Sequence, residues 1–153
     1  MPTASVEGKP LYESLILNEL FEELFPAPDA PRLLPANLVD KARARIWIDY
    51  IAKSVVPAYM RLVMAQTEED QNARRQEYYD ALRKLTDERD SKGPYFLGDQ
   101  FSLVDATIAP WVVRDYILAE NRGYERSGAG EKWVEYAAAL ESRPSVLRTT
   151  SVR

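Results

Sequence analysis

The chain has 153 residues, 46% of them hydrophobic and 29% charged, and contains neither cysteine nor histidine. Within these residues the two absences exclude Cys-His and Ser-His nucleophilic catalysis, histidine base chemistry, zinc or haem sites built on those side chains, and any disulfide framework. A net charge of −4 with a pI near 5.0 argues against nucleic-acid binding, because a phosphate-contacting domain normally presents a basic face.

A chain of this length suits one sizeable core, burying roughly 70% of its unfolded surface without metal or disulfide staples. No segment reads as a cleavable signal or as an apolar run long enough to span a bilayer, so a soluble, cytoplasmic protein is expected.

Five helical patterns follow one another with no convincing hairpin between them, which predicts an all-α fold. The first runs from Ser14 to Phe25, with Leu17, Leu20, Phe21 and Leu24 on one face and Pro26 and Pro28 ending it. Residues 27–36 are too proline-rich for a helix and read as a linker carrying an apolar Leu33-Leu34 plug. Asn37 is an N-cap, with Asp40 in the positive first turn of the second helix. Ile46, Trp47, Tyr50, Ile51 and Val55 make its predicted buried face, and Pro57 should bend it before Tyr59, Leu62 and Val63.

Thr67 followed by Glu68, Glu69 and Asp70 starts a third helix reaching toward Arg89. Its apolar stripe is thin (Tyr78, Leu82, Leu85), and the pairs Asp70-Arg74 and Asp80-Lys84 suit a solvated outer surface. Adjacent acids such as Glu22-Glu23 and Glu68-Glu69-Asp70 do not face one another on a helix, so no metal site is expected of them.

The segment Asp90 to Pro94 is a turn, and Tyr95 to Phe101 is an apolar loop that must dock on a core. Ser102 and Asp105 form a capping box opening a fourth helix toward Asn121, kinked at Pro110. They are assigned to folding, not chemistry. Phe101 would staple onto Ala106, a contact weakened by the small side chain. The fifth helix covers Glu131 to Glu141 with Trp133, Tyr136, Ala137 and Leu140 inward, and the tail from Ser145 allows one more turn.

Three segments, in order, resemble the glutathione transferase superfamily: YESLILNELFEELFP at Tyr12 to Pro26, YFLGDQFSLVDA at Tyr95 to Ala106, and WVEY at Trp133 to Tyr136 followed by RPSV at Arg143 to Val146. The Leu-Gly-Asp loop joined to a capping box is the most specific. The helix around Trp47-Ile48-Asp49-Tyr50, with Val55-Val56-Pro57, is most similar to omega-type members.

The resemblance implies the family's C-terminal helical bundle at residues 37–153 and, at residues 1–26, a remnant of its thioredoxin-like domain with at most one strand near Ser5 to Tyr12. It implies glutathione as co-substrate, a small electrophile or disulfide as the second substrate, conjugation or omega-like thiol transfer as the reaction, and a homodimer as one possible assembly. Glu13 would pair with the ammonium of the γ-glutamyl arm and Ser14 would hold its α-carboxylate. On the residues alone, Glu13-Ser14 reads first as an ordinary helix start, Ser14 capping it and Glu13 favouring its dipole, and it is the resemblance that brings the ligand reading level with that one. Tyr59, Trp111 and Tyr116 are candidates to line the second-substrate pocket, against the simpler reading of core aromatics.

In the family the catalytic Cys, Ser or Tyr comes from the first part of the thioredoxin-like domain, to which no residue here corresponds. The expectation is a truncated chain with no catalytic residue of its own, silent by itself. The alternative is a non-catalytic helical interaction domain, similar to those of elongation factor one gamma and of some tRNA synthetase assemblies.

Overall fold

The structure is a computed structural model, and it describes residues 3–26 and 31–150. It opens not with a single strand but with an antiparallel hairpin, β1 (Thr3–Val6) and β2 (Lys9–Tyr12), in which Thr3 faces Tyr12 and Ser5 faces Pro10. The all-α expectation is corrected to that extent. The turn is Glu7-Gly8, with φ of 52° and 75°, the paired left-handed geometry of a tight hairpin. Glutamate is a poor marker for that geometry and Pro10 interrupts the strand pattern, so the hairpin leaves little trace in the sequence.

Helix α1 (Ser14–Leu24) follows at once. Of its expected apolar face only Leu17 is buried, while Phe21 and Leu24 stay exposed at 41% and 44%. Part of the linker, residues 27–30, lies outside the described residues. The rest is tied down from both sides: the Leu33 N–H donates to Glu22 of α1 at 2.7 Å, and the Leu33 carbonyl accepts from Leu103 N at 2.8 Å. Leu34 is buried as the expected plug.

Helix α2 (Leu38–Tyr50) starts where predicted, Asn37 accepting from the N–H groups of Val39 and Asp40 at 2.9 and 3.2 Å. It passes without a break into a π-helical turn (Ile51–Val55) and then α3 (Val56–Met64). The bend predicted at Pro57 therefore takes the form of one widened turn just before the proline. A π turn absorbs the bond that the missing proline N–H cannot make, while keeping the apolar stripe in phase. That stripe is Ala44, Ile48, Ile51, Val55, Ala58, Tyr59 and Leu62, all buried. Ile46, expected within it, is instead 62% exposed, and Trp47 and Tyr50 are half-buried at its margin.

Helix α4 (Glu68–Asp87) is capped by Thr67 and buries Tyr78, Leu82 and Leu85. Asp70 pairs with Arg74 at 3.0 Å as expected. Asp80 instead takes Arg83 at 2.6 Å, leaving the Lys84 ammonium over the Tyr50 ring at 4.9 Å.

The predicted fourth helix is two helices, α5 (Leu103–Val112) and α6 (Tyr116–Arg122). Pro110 stays inside α5, and the chain re-aims at residues 113–115, where Arg114 turns back to donate to the Pro110 carbonyl at 3.0 Å. A 3₁₀ turn (Arg126–Ala129) leads into α7 (Glu131–Ser142), whose Trp133, Tyr136, Ala137 and Leu140 are fully buried. Helix α8 (Pro144–Thr149) is the extra turn allowed for the tail. The core lies among α2, α3, α4, α5 and α7, with an aromatic run through it: Trp111 on Tyr59, Tyr59 on Tyr78 and Tyr78 on Tyr124, at 5.1, 5.8 and 5.6 Å between ring centres.

Candidate functional site

The hairpin delivers the chain to α1 through Glu13, whose backbone has φ 76° and ψ 107°. A non-glycine residue there costs of order 1–3 kcal/mol, strain that folded proteins retain mainly where the position is functional. Glu13 is the N-cap and Ser14 the first helical residue, and no side chain caps the helix. The ordinary capping role weighed for Ser14 is thus not the one it plays. Both residues are exposed at a helix end that carries free N–H groups and partial positive charge, the arrangement suited to holding a carboxylate. The end is held in place because Glu19 bridges to Arg45 of α2 at 2.6 Å and Leu17 is buried.

The three aromatic candidates separate. Tyr59 is 3% exposed and donates its hydroxyl to the Arg114 carbonyl at 3.0 Å, which makes it a core residue bracing the α5–α6 connection. Burial pushes its phenol up from the ordinary value, so it stays protonated. Trp111 is half-buried edge-on against it. Of the three, Tyr116 alone lines a cleft, of about 610 Å³, together with Ala106 and Pro110 of α5, Val113 just beyond it, and Val146 and Thr149 of α8. The structure therefore does not bring the three into one pocket.

Asp105 is completely buried, and its carboxylate accepts four hydrogen bonds: from Phe96 N at 2.8 Å, Tyr136 Oη at 2.7 Å, Ser102 N at 2.7 Å and Ser102 Oγ at 2.6 Å. The capping box is formed, and the same carboxylate fastens the aromatic loop to α7. Phe101 finds a substitute for its weak staple: the Tyr95 ring packs edge-on at 5.4 Å, and the Arg143 guanidinium lies over it at 4.1 Å.

Two further clefts escaped the sequence reading. One, of about 480 Å³, lies between the linker, the start of α2 and the aromatic loop, with Trp47 and Phe96 in its wall. The other, of about 470 Å³, lies between the second half of α1 and the start of α5. Its walls come from residues read as a helix end (Phe25), a linker plug (Leu33) and a tail motif (Arg143). No local pattern announces that they meet.

Among the described residues, no cluster of acidic side chains is arranged to hold a metal ion, and no helix is long and apolar enough to cross a membrane.

A strand-helix entry with a strained, uncapped helix start, followed by a bundle built on a buried capping box, defines a glutathione-transferase-type helical domain. The family profile described as the C-terminal domain of glutathione S-transferase matches residues 54–114. Over 99% of its length the chain is 55% identical to the crystal structure of glutathione transferase Omega 3C from Trametes versicolor, covering 67% of that chain with a TM-score of 0.92. It is 30% identical over 149 residues to the probable glutathione S-transferase parC of Nicotiana tabacum, which is 97% of this chain and 66% of the tobacco protein. A rice transferase solved in complex with glutathione matches 97% of the chain at 25% identity and a TM-score of 0.82, with 68% of that protein covered. The chain belongs to the glutathione S-transferase family and is omega-like. It spans about two-thirds of the length of these relatives.

Proposed function

We propose that this chain is the helical part, with the adjoining strand-helix segment, of a cytoplasmic glutathione transferase that conjugates glutathione to small electrophiles or exchanges thiols in the omega manner. The observation that carries this reading is the α1 start: Glu13 held at positive φ, with an uncapped, exposed helix N-terminus behind it. Glu13 takes the ammonium of the γ-glutamyl arm, and the Ser14 N–H and hydroxyl take its α-carboxylate. The rice relative, crystallised with glutathione, supports the choice of ligand. The cleft bearing Tyr116 supplies part of the second-substrate wall.

The group that activates the glutathione thiol lies outside these 153 residues, which contain no cysteine. The chain by itself accordingly shows no transferase turnover and binds glutathione no tighter than about millimolar, since one helix end and one carboxylate furnish only a few charge-assisted bonds. In a form extended upstream, turnover appears, and Glu13→Gln raises KM for glutathione about tenfold with kcat nearly unchanged, the mark of lost uniform binding. Steady-state kinetics and calorimetry on the two forms are the test. Robust turnover by the 153-residue chain alone overturns the proposal.

The assembly we propose is a homodimer. Tyr12, Ile16 and Leu24 leave an exposed apolar face on the hairpin and α1, and contiguous faces of this kind drive association or exchange of the tethered helix between copies. Sedimentation velocity should show a concentration-dependent shift toward twice the monomer mass, which Ile16→Lys abolishes. A monomer at every concentration sinks the dimer.

A further inference from the structure

We propose that Tyr136 and Asp105 form a redox pair, the inner end of an aromatic path that draws a one-electron oxidation from the surface into the bundle. The path is separate from the glutathione end of α1. In a chain without cysteine, indoles and phenols are the side chains that most readily give up a single electron.

The outer end is Tyr79 on α4, a half-buried residue whose hydroxyl accepts from Glu125 N at 3.0 Å. Its ring lies 5.7 Å from that of Tyr124, and the Tyr124 hydroxyl accepts from Trp133 Nε1 at 2.8 Å. Trp133 stands edge-on to Tyr136 at 6.1 Å, and Tyr136 Oη donates to Asp105 Oδ1 at 2.7 Å. Every step is a ring contact or a hydrogen bond, with no aliphatic side chain between donor and acceptor. Tyr124, Trp133, Tyr136 and Asp105 are buried, the last three completely. A close-packed interior keeps solvent and other radicals away from whatever forms there.

What sets Tyr136 apart is its proton acceptor. A phenol that loses an electron becomes a strong acid, and its positive charge is costly in the interior unless a base takes the proton. Tyr59 faces a backbone carbonyl, a poor base, and the Tyr78 hydroxyl has no hydrogen-bond partner. Tyr136 faces a carboxylate, at a distance over which a proton passes directly. The Arg89 guanidinium lies over the Tyr136 ring at 5.5 Å, which disfavours a cationic ring and makes the neutral phenoxyl the stable product. Arg83 lies over Tyr79 at 5.9 Å, so positive charge does not rest at the outer end either. Burial, which favours the protonated form of Asp105, acts in the same direction.

Oxidation removes one electron from Tyr136, which travels through Trp133, Tyr124 and Tyr79 to the oxidant. The O–H bond breaks and its proton moves to Asp105 Oδ1, leaving a neutral phenoxyl that accepts a hydrogen bond from the new carboxylic acid. The matching oxidant is an organic peroxyl radical, which becomes a hydroperoxide by taking that electron and a proton from water.

The test oxidises the full chain with tris-bipyridyl ruthenium, illuminated in the presence of persulfate, and freezes it after the light is turned off. Electron paramagnetic resonance should show a neutral tyrosyl radical that outlasts the short-lived radicals of exposed tyrosines. Infrared difference spectra should show a new carboxylic-acid carbonyl band, which shifts when the chain is labelled with aspartate carrying ¹³C in its side-chain carboxyl. Tyr136→Phe should remove both signals. Tyr79→Phe, at a half-buried position, leaves the inner pair intact and should lower the yield of the radical without changing its spectrum. The carbonyl band is read on the unaltered chain and so does not depend on the folding of either variant. A radical that vanishes with the light, one that persists in Tyr136→Phe, a missing acid band, or a yield indifferent to Tyr79→Phe would each overturn the path from Tyr79 to Asp105.

Discussion

Replacing Asp105 by alanine should destabilise the chain by roughly 3–5 kcal/mol in urea unfolding at neutral pH, the largest effect expected of any single polar substitution. The size follows from what is orphaned. The Phe96 and Ser102 N–H groups and the Tyr136 hydroxyl all donate to this carboxylate, in a place where Asp105 itself has no exposure. An unsatisfied buried donor costs about 1–3 kcal/mol, and three together exceed any strain relieved. Against a total stability of about 5–15 kcal/mol, such a loss is a large fraction. Tyr136→Phe alone should cost about 1–2 kcal/mol, but should recover part of the loss when Asp105 is already alanine, because it removes the buried hydroxyl left without its acceptor. A double-mutant cycle with additive values, or an Asp105→Ala cost below about 1 kcal/mol, contradicts this account.

The same residue sets a pH dependence. Burial pushes the Asp105 carboxyl up from its ordinary 3.8, the hydrogen bonds from Ser102, Tyr136 and Phe96 opposing the rise without cancelling it. The native state therefore keeps this proton to a higher pH than the unfolded chain does. Its stabilising contribution is complete below 3.8 and declines as pH climbs through the raised native value.

What could be read from the residues and what could not divide along a physical line. Helix starts fixed by a side chain three or fewer residues away were legible, as at Asn37, Thr67 and Ser102, because the capping partner is local. Buried stripes of strongly periodic helices were legible too, as Trp133, Tyr136, Ala137 and Leu140 show. The phase of α2 was misjudged at Ile46 because the buried stripe runs through the small Ala44 and through Ile48, Ile51 and Val55, which leaves Ile46 on the opposite face. Phe21 and Leu24 form a good apolar periodicity, yet the described residues leave them exposed. Periodicity reports that a face wants covering, not what covers it. The candidate site divides in the same way: Glu13-Ser14 was singled out through the family resemblance, its residues alone reading as a helix start, whereas the cleft at Arg143 depends on contacts between residues more than a hundred positions apart.

Arg126→Met should cost about 2–4 kcal/mol, the lower part of the range for breaking a buried ion pair, because the arginine is about a quarter exposed and partly screened. Its guanidinium donates to both oxygens of Asp115 at 2.6 and 3.0 Å and to both oxygens of Glu141 at 2.7 Å. That single group joins the α5–α6 connection, the 3₁₀ turn and α7. Two carboxylates, the Glu141 hydrogen bond foremost, hold it well above its ordinary value despite partial burial, so it remains charged at any accessible pH. The two partners should respond unequally. Glu141 is 36% exposed and water replaces much of what it loses, so Glu141→Gln should cost less than about 1 kcal/mol. Asp115 is 5% exposed, and when the arginine goes it forfeits two bonds that water cannot restore. Arg126→Lys should recover less than half of the loss, since one ammonium cannot reproduce two forked contacts. Asp115→Asn added to Arg126→Met should recover part of it, by removing the charge that was left behind. Chemical unfolding of the four variants gives the comparison, and an Arg126→Lys protein as stable as the parent would show that charge alone, not the forked geometry, holds the connection.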